Sequence, residues 1–259
     1  MCRWLNIPRS SYYYQAVDPV SEADLEDKIT YIFLESKSRY GARKIKKCLE
    51  KDGIILSRRR IRRIMKRLNL VSVYQKAAFK PHSRGKNEAP IPNRLDRQFD
   101  QERPLEALVT DLTYVRVDRR WAYVCLTIDF FNREIIGLTV GWHKTAELVK
   151  QAIQSIPYAL TKAKLFHSDR GKEFDNQLID EMLEAFGITR SLSQAGCPYD
   201  NAVAESTYRS FKLEFINQET FQSLKELALK TKDYVHWWNY HRIHGSLNYQ
   251  TPMTKRIIA

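Results

Sequence analysis

The 259-residue chain has few cysteines, no long apolar run and, over one stretch, almost no acid. Cys2, Cys48, Cys125 and Cys197 are scattered without a CxxC pair, so neither a zinc site nor a dithiol redox centre is expected, and the thiols should be free. No segment reaches the roughly 18 apolar residues that cross a bilayer, and Met1–Ser10 carries two arginines without the apolar stretch of a signal peptide. A cytoplasmic protein without a membrane partner is expected. With 43% hydrophobic and 28% charged residues the chain is neither disordered nor of low complexity, and its length admits one large domain or two ordinary ones.

Acid is scarce where base is dense. The net charge is +13, of which Met1–Arg103 carries +12. Within Lys37–Arg67 fourteen Lys and Arg face only Glu50 and Asp52. So large an excess of one sign repels itself unless a polyanion neutralises it, which points to nucleic acid over a merely solvated helix face.

Apolar periodicity divides the chain. Residues 1–20 form an N-terminal arm. Within 21–80, Ser21–Arg39 reads as a helix with Ser21 as cap. A short helix after Gly41 turns Ile45, Cys48 and Leu49 inward, and Ser57 caps a third with a stripe of Ile61, Ile64, Met65 and Leu68. Arg58, Arg59, Arg60, Arg62, Arg63, Lys66 and Arg67 fill the rest of that helix, so a small all-α helix-turn-helix domain with a DNA-reading helix is expected. Residues 81–104, with Pro81, Pro90, Pro92 and Pro104, read as a linker.

Beyond it Leu108–Val117, Trp121–Phe130 and Glu134–Trp142 read as a three-stranded meander. Helix, strand, helix, strand and helix follow, with Gly187 stopping one helix, Asp200 capping the next, and Ser223 with Glu226 boxing the last. This order predicts an α/β ribonuclease-H-like mixed sheet with flanking helices over 105–219, and a helical extension over 220–259.

Three acids fall where this topology permits convergence: Asp111 inside the first strand, Asp169 at the end of the fourth, and Glu205 in the first turns of the helix after the last. An aspartate in an apolar strand is costly to bury without a cation, and hard divalent cations prefer oxygen ligands. Two such ions held by shared carboxylates suit in-line phosphoryl displacement. Spacing does not carry the assignment, because Asp169 and Glu205 enclose 35 residues and so do Asp111 and Glu147. Each acid taken singly reads as a surface residue or cap.

Sequence motifs supply the context. His167-Ser168-Asp169-Arg170-Gly171-Lys172-Glu173-Phe174, then Ser191-Leu192-Ser193, Gly196 and Asp200–Ser206 with Lys212 seven positions after Glu205, resemble the OrfB transposases of insertion-sequence family 3. Thr110–Tyr114 resembles that family's first-Asp motif. Trp238-Asn239-Tyr240, Arg242, His244, Leu247 and Thr251-Pro252 resemble its C-terminal signature, and Ser36–Gly41 with the basic helix its second helix-turn-helix. The resemblance implies a DDE transposase with a retroviral-integrase-like core, in which Asp111, Asp169 and Glu205 bind two Mg²⁺ ions, with Mn²⁺ able to substitute. It also implies a copying route through a circular intermediate. Double-stranded DNA, at element ends and target, is the expected partner, with a homo-oligomer forming on it at the nucleoid. The chain lacks sustained heptads and starts at Cys2-Arg3-Trp4-Leu5, as the downstream product of such an element would, so an upstream OrfA-type partner or fusion is expected.

Helical spacing places Glu205, Tyr208, Arg209 and Lys212 on one face, suited to a DNA end beside a metal site; a solvated ion-pair face is the alternative. Ala204, Thr207, Phe211 and Phe215 form the adjoining core stripe. His236, His241 and His244, with no cysteine among them and imperfect helical spacing, read as structural or DNA-contacting rather than zinc ligands. The expected activity is metal-dependent strand cleavage followed by strand transfer. Its rivals are a metal-dependent nuclease that only hydrolyses and a DNA-binding regulator without catalysis.

Overall fold

Ser21 and Ser57 open helices α1 (Glu22–Glu35) and α3 (Arg58–Arg67) as the sequence predicts. Each hydroxyl accepts a hydrogen bond from an amide three residues on, Asp24 at 3.0 Å and Arg60 at 3.2 Å. Both satisfy donors that a helix start leaves without partners. These belong to a computed structural model that describes Trp4, Pro8 and residues 21–76, 91–194 and 197–259, in two units, Met1–Ser72 and Val73–Ala259. The expected arm over 1–20 lies outside the described residues apart from Trp4 and Pro8.

In the first unit, Leu25, Ile29 and Phe33 of α1 are buried, as are Ile45 and Leu49 of α2 (Ala42–Lys51) and Ile61, Ile64 and Met65 of α3. Three short helices thus share one small core. α1 ends at Glu35 rather than Arg39, because Ser36 closes it: its hydroxyl donates to the Phe33 carbonyl at 2.7 Å and accepts from the Tyr40 amide at 3.1 Å. The seven cations of α3 are all exposed. Arg60 and Arg67 turn back to α1, where Arg60 meets Glu22 at 2.6 Å and Arg67 pairs with Glu22 and Glu26. Those guanidiniums hold the Glu22 carboxyl below its usual range. Arg59, Arg62, Arg63 and Lys66 are spaced to share the outward face.

The second unit is built on a five-stranded sheet of order β3-β2-β1-β4-β5. β1 (Ala107–Val117), β2 (Arg120–Asp129) and β3 (Ile135–Gly141) form the antiparallel meander, while β4 (Leu165–Ser168) and β5 (Thr189–Leu192) run parallel to β1. Parallel neighbours need crossovers, supplied by α4 (Ala146–Gln154) and α5 (Gln177–Ala185). Period-two alternation then builds two cores. Leu108 and Cys125 face Leu148, Val149, Ile153 and Leu183 on one side, whereas Val109, Val124, Leu126 and Ile128 face the other. That second side is covered by α6 (Ala202–Glu214) and α7 (Leu224–Tyr240), through Ala204, Phe211, Leu227, Tyr234 and Trp238. A short α8 (Pro252–Ile258) ends the chain. The mixed α/β, ribonuclease-H-like arrangement expected from the element order is the one observed.

Of the expected 81–104 linker, residues 81–90 lie outside the described residues. The remainder packs beside β5: the Arg94 and Leu95 amides donate to the Ser191 hydroxyl at 2.9 and 3.1 Å, and Leu95 is buried. Asp200 does not cap α6. A 3-10 turn (Pro198–Asn201) precedes that helix, and the Asp200 carboxylate accepts instead from the Gln194 amide at 2.9 Å and Arg97 Nε at 2.8 Å. Burial opposes its charge, but Arg97 and that amide outweigh it and hold the carboxyl below its usual range. The residues expected as an extension build part of the second unit. The Asn239 side chain accepts from the Ile135 amide at 3.0 Å and donates to the Ile135 carbonyl at 2.9 Å, and Trp238 Nε1 donates to the Arg133 carbonyl at 2.9 Å. Arg242 lies 2.8 Å from Glu214, both buried, with the Tyr74 and Tyr234 hydroxyls on the same carboxylate. Burial opposes the Arg242 charge, but the neighbouring carboxylate more than restores it.

Candidate active site

Register brings the first two acids together. β1 and β4 pair in parallel through Leu108 with Phe166 and Val109 with His167; carried two residues past the last pair, that register sets Asp111 level with Asp169, which directly follows β4. Both are partly buried. Asp111 accepts from the Leu112 amide at 2.7 Å, and Asp169 from the Gly171 amide at 2.9 Å, which orients each carboxylate from its own backbone. At Gly171 a Cβ would overlap the Glu173 carboxylate, which would have to move aside. Glu173 is itself buried and pairs with Lys144 at 2.7 Å.

Tyr208 ties α6 to the middle of β1 and to β2. It is 5% exposed, accepts from the Leu126 amide at 2.7 Å and donates to the Asp111 carbonyl. The reading that placed Tyr208 at a DNA-facing surface is therefore corrected: its ring is core and its hydroxyl joins β1 to β2. Burial first, and then the negative fields of Cys125, Asp111 and Asp169, push its phenol well above the ordinary value. Cys125, wholly buried beside them, is pushed up to about 12 by burial, with Asp111 and Glu173 adding to the shift.

Glu205 sits on α6 one turn before Tyr208, with its side chain exposed, and Arg209 is exposed beside it. Among the described residues no three Asp, Glu, His or Cys side chains are grouped closely enough to hold one metal ion. Asp111 and Asp169 are thus level on neighbouring strands, and the helix fixed to the Asp111 backbone carries Glu205. Lys212 stands with Nζ 4.6 Å from the centre of the Tyr114 ring.

Beneath the acids, His167 is fully buried between two hydroxyls, Ser191 at 2.9 Å and Ser193 at 3.1 Å. Burial lowers its pKa to about 4, so the ring is neutral. Arg170 Nε donates to the Ser193 carbonyl at 2.6 Å, fixing the loop after Asp169. Sequence reasoning gave roles to neither His167 nor Glu173. The short motif around Asp169 contains both, but their partners lie on β5 and before α4, beyond the reach of local spacing. Of the three C-terminal histidines, His244 is buried 4.5 Å from the Trp238 ring with Arg242 at 3.1 Å, a structural position.

A sheet of order β3-β2-β1-β4-β5 with one carboxylate inside its central strand and a second just past the neighbouring parallel strand defines the class of integrase cores. Integrase core domain models match residues 101–198 and 186–252, and an HTH-like domain model matches 20–78. The chain is 29% identical over 261 residues to InsK for insertion sequence element IS150 of Escherichia coli, spanning 99% of this chain and 92% of that one. It is also 29% identical to the transposase for insertion sequence element IS904 of Lactococcus lactis, across 88% and 91% of the two chains. A simian T-cell lymphotropic virus intasome structure shares the fold at TM-score 0.51 and 11% identity, over 86% of this chain and 73% of that one. The chain belongs to the integrase-core transposases of insertion sequences, and the resemblance to insertion-sequence family 3 is borne out. Among the described residues no helix is long and apolar enough to cross a membrane.

Proposed function

We propose that the chain cuts one strand of DNA at the end of a mobile element and joins the liberated 3′-hydroxyl to another phosphodiester. The observation that carries this reading is the level placement of Asp111 and Asp169 on neighbouring strands, under a helix that bears Glu205 and is bonded through Tyr208 to the Asp111 carbonyl. The donor set fits hard divalent cations, since all three ligands are carboxylates and the neutral His167 is occupied by Ser191 and Ser193. Asp111, Asp169 and Glu205 would hold the ions, two Mg²⁺ with Mn²⁺ as substitute. When bound they supply Lewis-acid stabilisation of the phosphoryl oxygens and lower the pKa of the attacking hydroxyl.

The chain's own residues do the positioning. The backbone amides of Leu112 and Gly171 aim the two aspartates. Arg209 and Lys212 hold phosphates of the DNA end, Arg209 through its planar fork and Lys212 as a compact point charge. Arg58, Arg59, Arg62, Arg63 and Lys66 meet the backbone of double-stranded DNA, whereas Arg60 and Arg67 are engaged by Glu22 and Glu26 and chiefly brace α3. The working form is a homo-oligomer on DNA, acting at the nucleoid, with an upstream OrfA-type subunit or fusion contributing to end recognition.

The test is a labelled element-end duplex with Mg²⁺. Cut ends and joined products are expected from the parent chain, and Asp169→Asn should yield neither while still binding. Cuts without joined strands would favour a simple nuclease, and binding without turnover a regulator.

A further inference from the structure

The hairpin formed by β1 and β2 runs past the helices that cover one side of the sheet. On that side Leu112 and Tyr123 are the last residues packed against the α4 core, and Tyr114, Arg116 and Trp121 lie beyond them on the same face. Tyr114 is 49% and Trp121 50% exposed, their rings meeting edge to face with centroids 5.2 Å apart. Two cations attend this aromatic pair. Lys212 stands over the Tyr114 ring at 4.6 Å and Arg116 over Trp121 at 5.3 Å. Arg119 adds a third positive charge at the turn, beside Asp118. The opposite face of the same hairpin is covered as far as the turn, with Val115, Val117 and Ala122 in the core beside Phe215 and Phe221 and Arg120 over Trp142 at its rim.

A cross-strand aromatic pair stabilises a hairpin by a fraction of a kcal/mol to about 1 kcal/mol whether or not anything binds it. That role does not account for half of each ring lying in water among cations. Rings that accept a base on their faces, with positive charge beside them for the connecting phosphates, are the components of single-strand nucleic-acid sites. Tyr114 lies three residues along β1 from Asp111, about 10 Å at strand rise, an odd offset that turns its ring to the face opposite the carboxylate; Lys212 of α6, the helix on the Asp111 side, nevertheless reaches round to that ring. β4 pairs with β1 only over Ala107–Val109, so no paired strand intervenes on this side.

We propose that Tyr114 and Trp121, flanked by Arg116 and Lys212, are a stacking platform for unpaired nucleotides at the DNA end held by the carboxylates. This rests on the strand-cutting reading for its location, but the platform acts in binding and can be read without chemistry. Aromatic faces accept any base, so the platform selects an unpaired end rather than a sequence.

The test uses the full chain and two duplexes of one sequence, one blunt and one with a short unpaired extension carrying 2-aminopurine. The parent should bind the extended duplex more tightly and quench the 2-aminopurine. Trp121→Ala and Tyr114→Ala should each reduce that preference about tenfold and abolish the quenching, with Trp121→Phe, which keeps an aromatic face, restoring most of it. Arg116→Ala should weaken both duplexes together and flatten the salt dependence. A circular-dichroism melt of each variant separates lost folding from lost stacking, and Trp121→Phe carries the test if the alanine variants do not fold. Repeating the measurement in Asp169→Asn separates the two readings: if that variant stayed active the carboxylate assignment would fail, while the preference would still report on the platform. An equal affinity of the parent for both duplexes, or a preference unchanged by Trp121→Ala, overturns the proposal.

Discussion

α3 and α6 both bring cations to a helix surface, and they are built in opposite ways. α3 has ten residues, seven of them cationic, and buries only Ile61, Ile64 and Met65. α6 has thirteen and buries six, including Tyr208 and Glu214, leaving Glu205, Arg209 and Lys212 along its margin. A helix held by one narrow stripe can offer a broad charged face that follows any phosphate backbone. A helix held on several sides fixes a few side chains relative to the sheet, as chemistry at a single phosphorus atom requires. Under the proposed function, one helix would serve affinity and the other geometry.

That contrast can be broken by experiment. The largest effect is expected at the two aspartates beside the strands to which α6 is fixed: Asp111→Asn or Asp169→Asn should lower strand transfer by about a thousandfold or more, with DNA affinity within a few-fold of the parent. A gel assay for joined products, beside a binding isotherm, checks both halves.

Next comes the anchoring of α6. Arg242→Met leaves the buried Glu214 carboxylate without its guanidinium and should cost about 3–5 kcal/mol, read by denaturant unfolding. A loss below about 1 kcal/mol would mean that the tyrosine hydroxyls suffice.

The third prediction is pH-dependent. His167 is held near a pKa of about 4 when folded, against the ordinary value near 6.5, so between these values the unfolded chain binds more protons. Stability from this residue is complete above about pH 6.5 and drains away as the pH falls toward about 4, up to about 3 kcal/mol. His167→Gln should flatten the stability profile in that window; an unchanged slope there would remove His167 as its source.

The smallest effects belong to α3. Arg59→Ala, Arg62→Ala, Arg63→Ala and Lys66→Ala should each weaken duplex binding a few-fold and flatten the log affinity against log salt slope by about 0.9 per lost contact. Arg60→Ala should instead act mainly through the ion pair with Glu22 and leave the slope nearly unchanged.

What was legible follows the range of each interaction. The caps at Ser21, Ser57 and Ser223 depend on an amide three residues away, and the sequence predicts all three correctly. The neighbouring placement of Asp111 and Asp169 follows from element order, because a crossover makes β4 parallel to β1. Tyr208 was misread because helical spacing says which residues share a face but not where the sheet meets it; the amide it accepts from, Leu126, lies 82 residues away. Asp200 failed as a cap for a similar reason, since Arg97 competes for it from 103 positions upstream. The C-terminal signature was visible only as a resemblance. Its physical basis, Asn239 on the Ile135 backbone and Arg242 on Glu214, is wholly long-range.

Asn239 has a wider consequence. A carboxamide that answers both the amide and the carbonyl of Ile135 imitates the peptide group of a sixth strand, and at the other margin the Leu192 amide is taken by the Pro92 carbonyl. At these two positions the sheet is terminated by a side chain and by a loop, so another molecule finds no backbone there on which to continue it. Under the proposed assembly on DNA, neighbouring copies would thereby be steered away from strand-to-strand polymerisation and toward contact through their helices and loops.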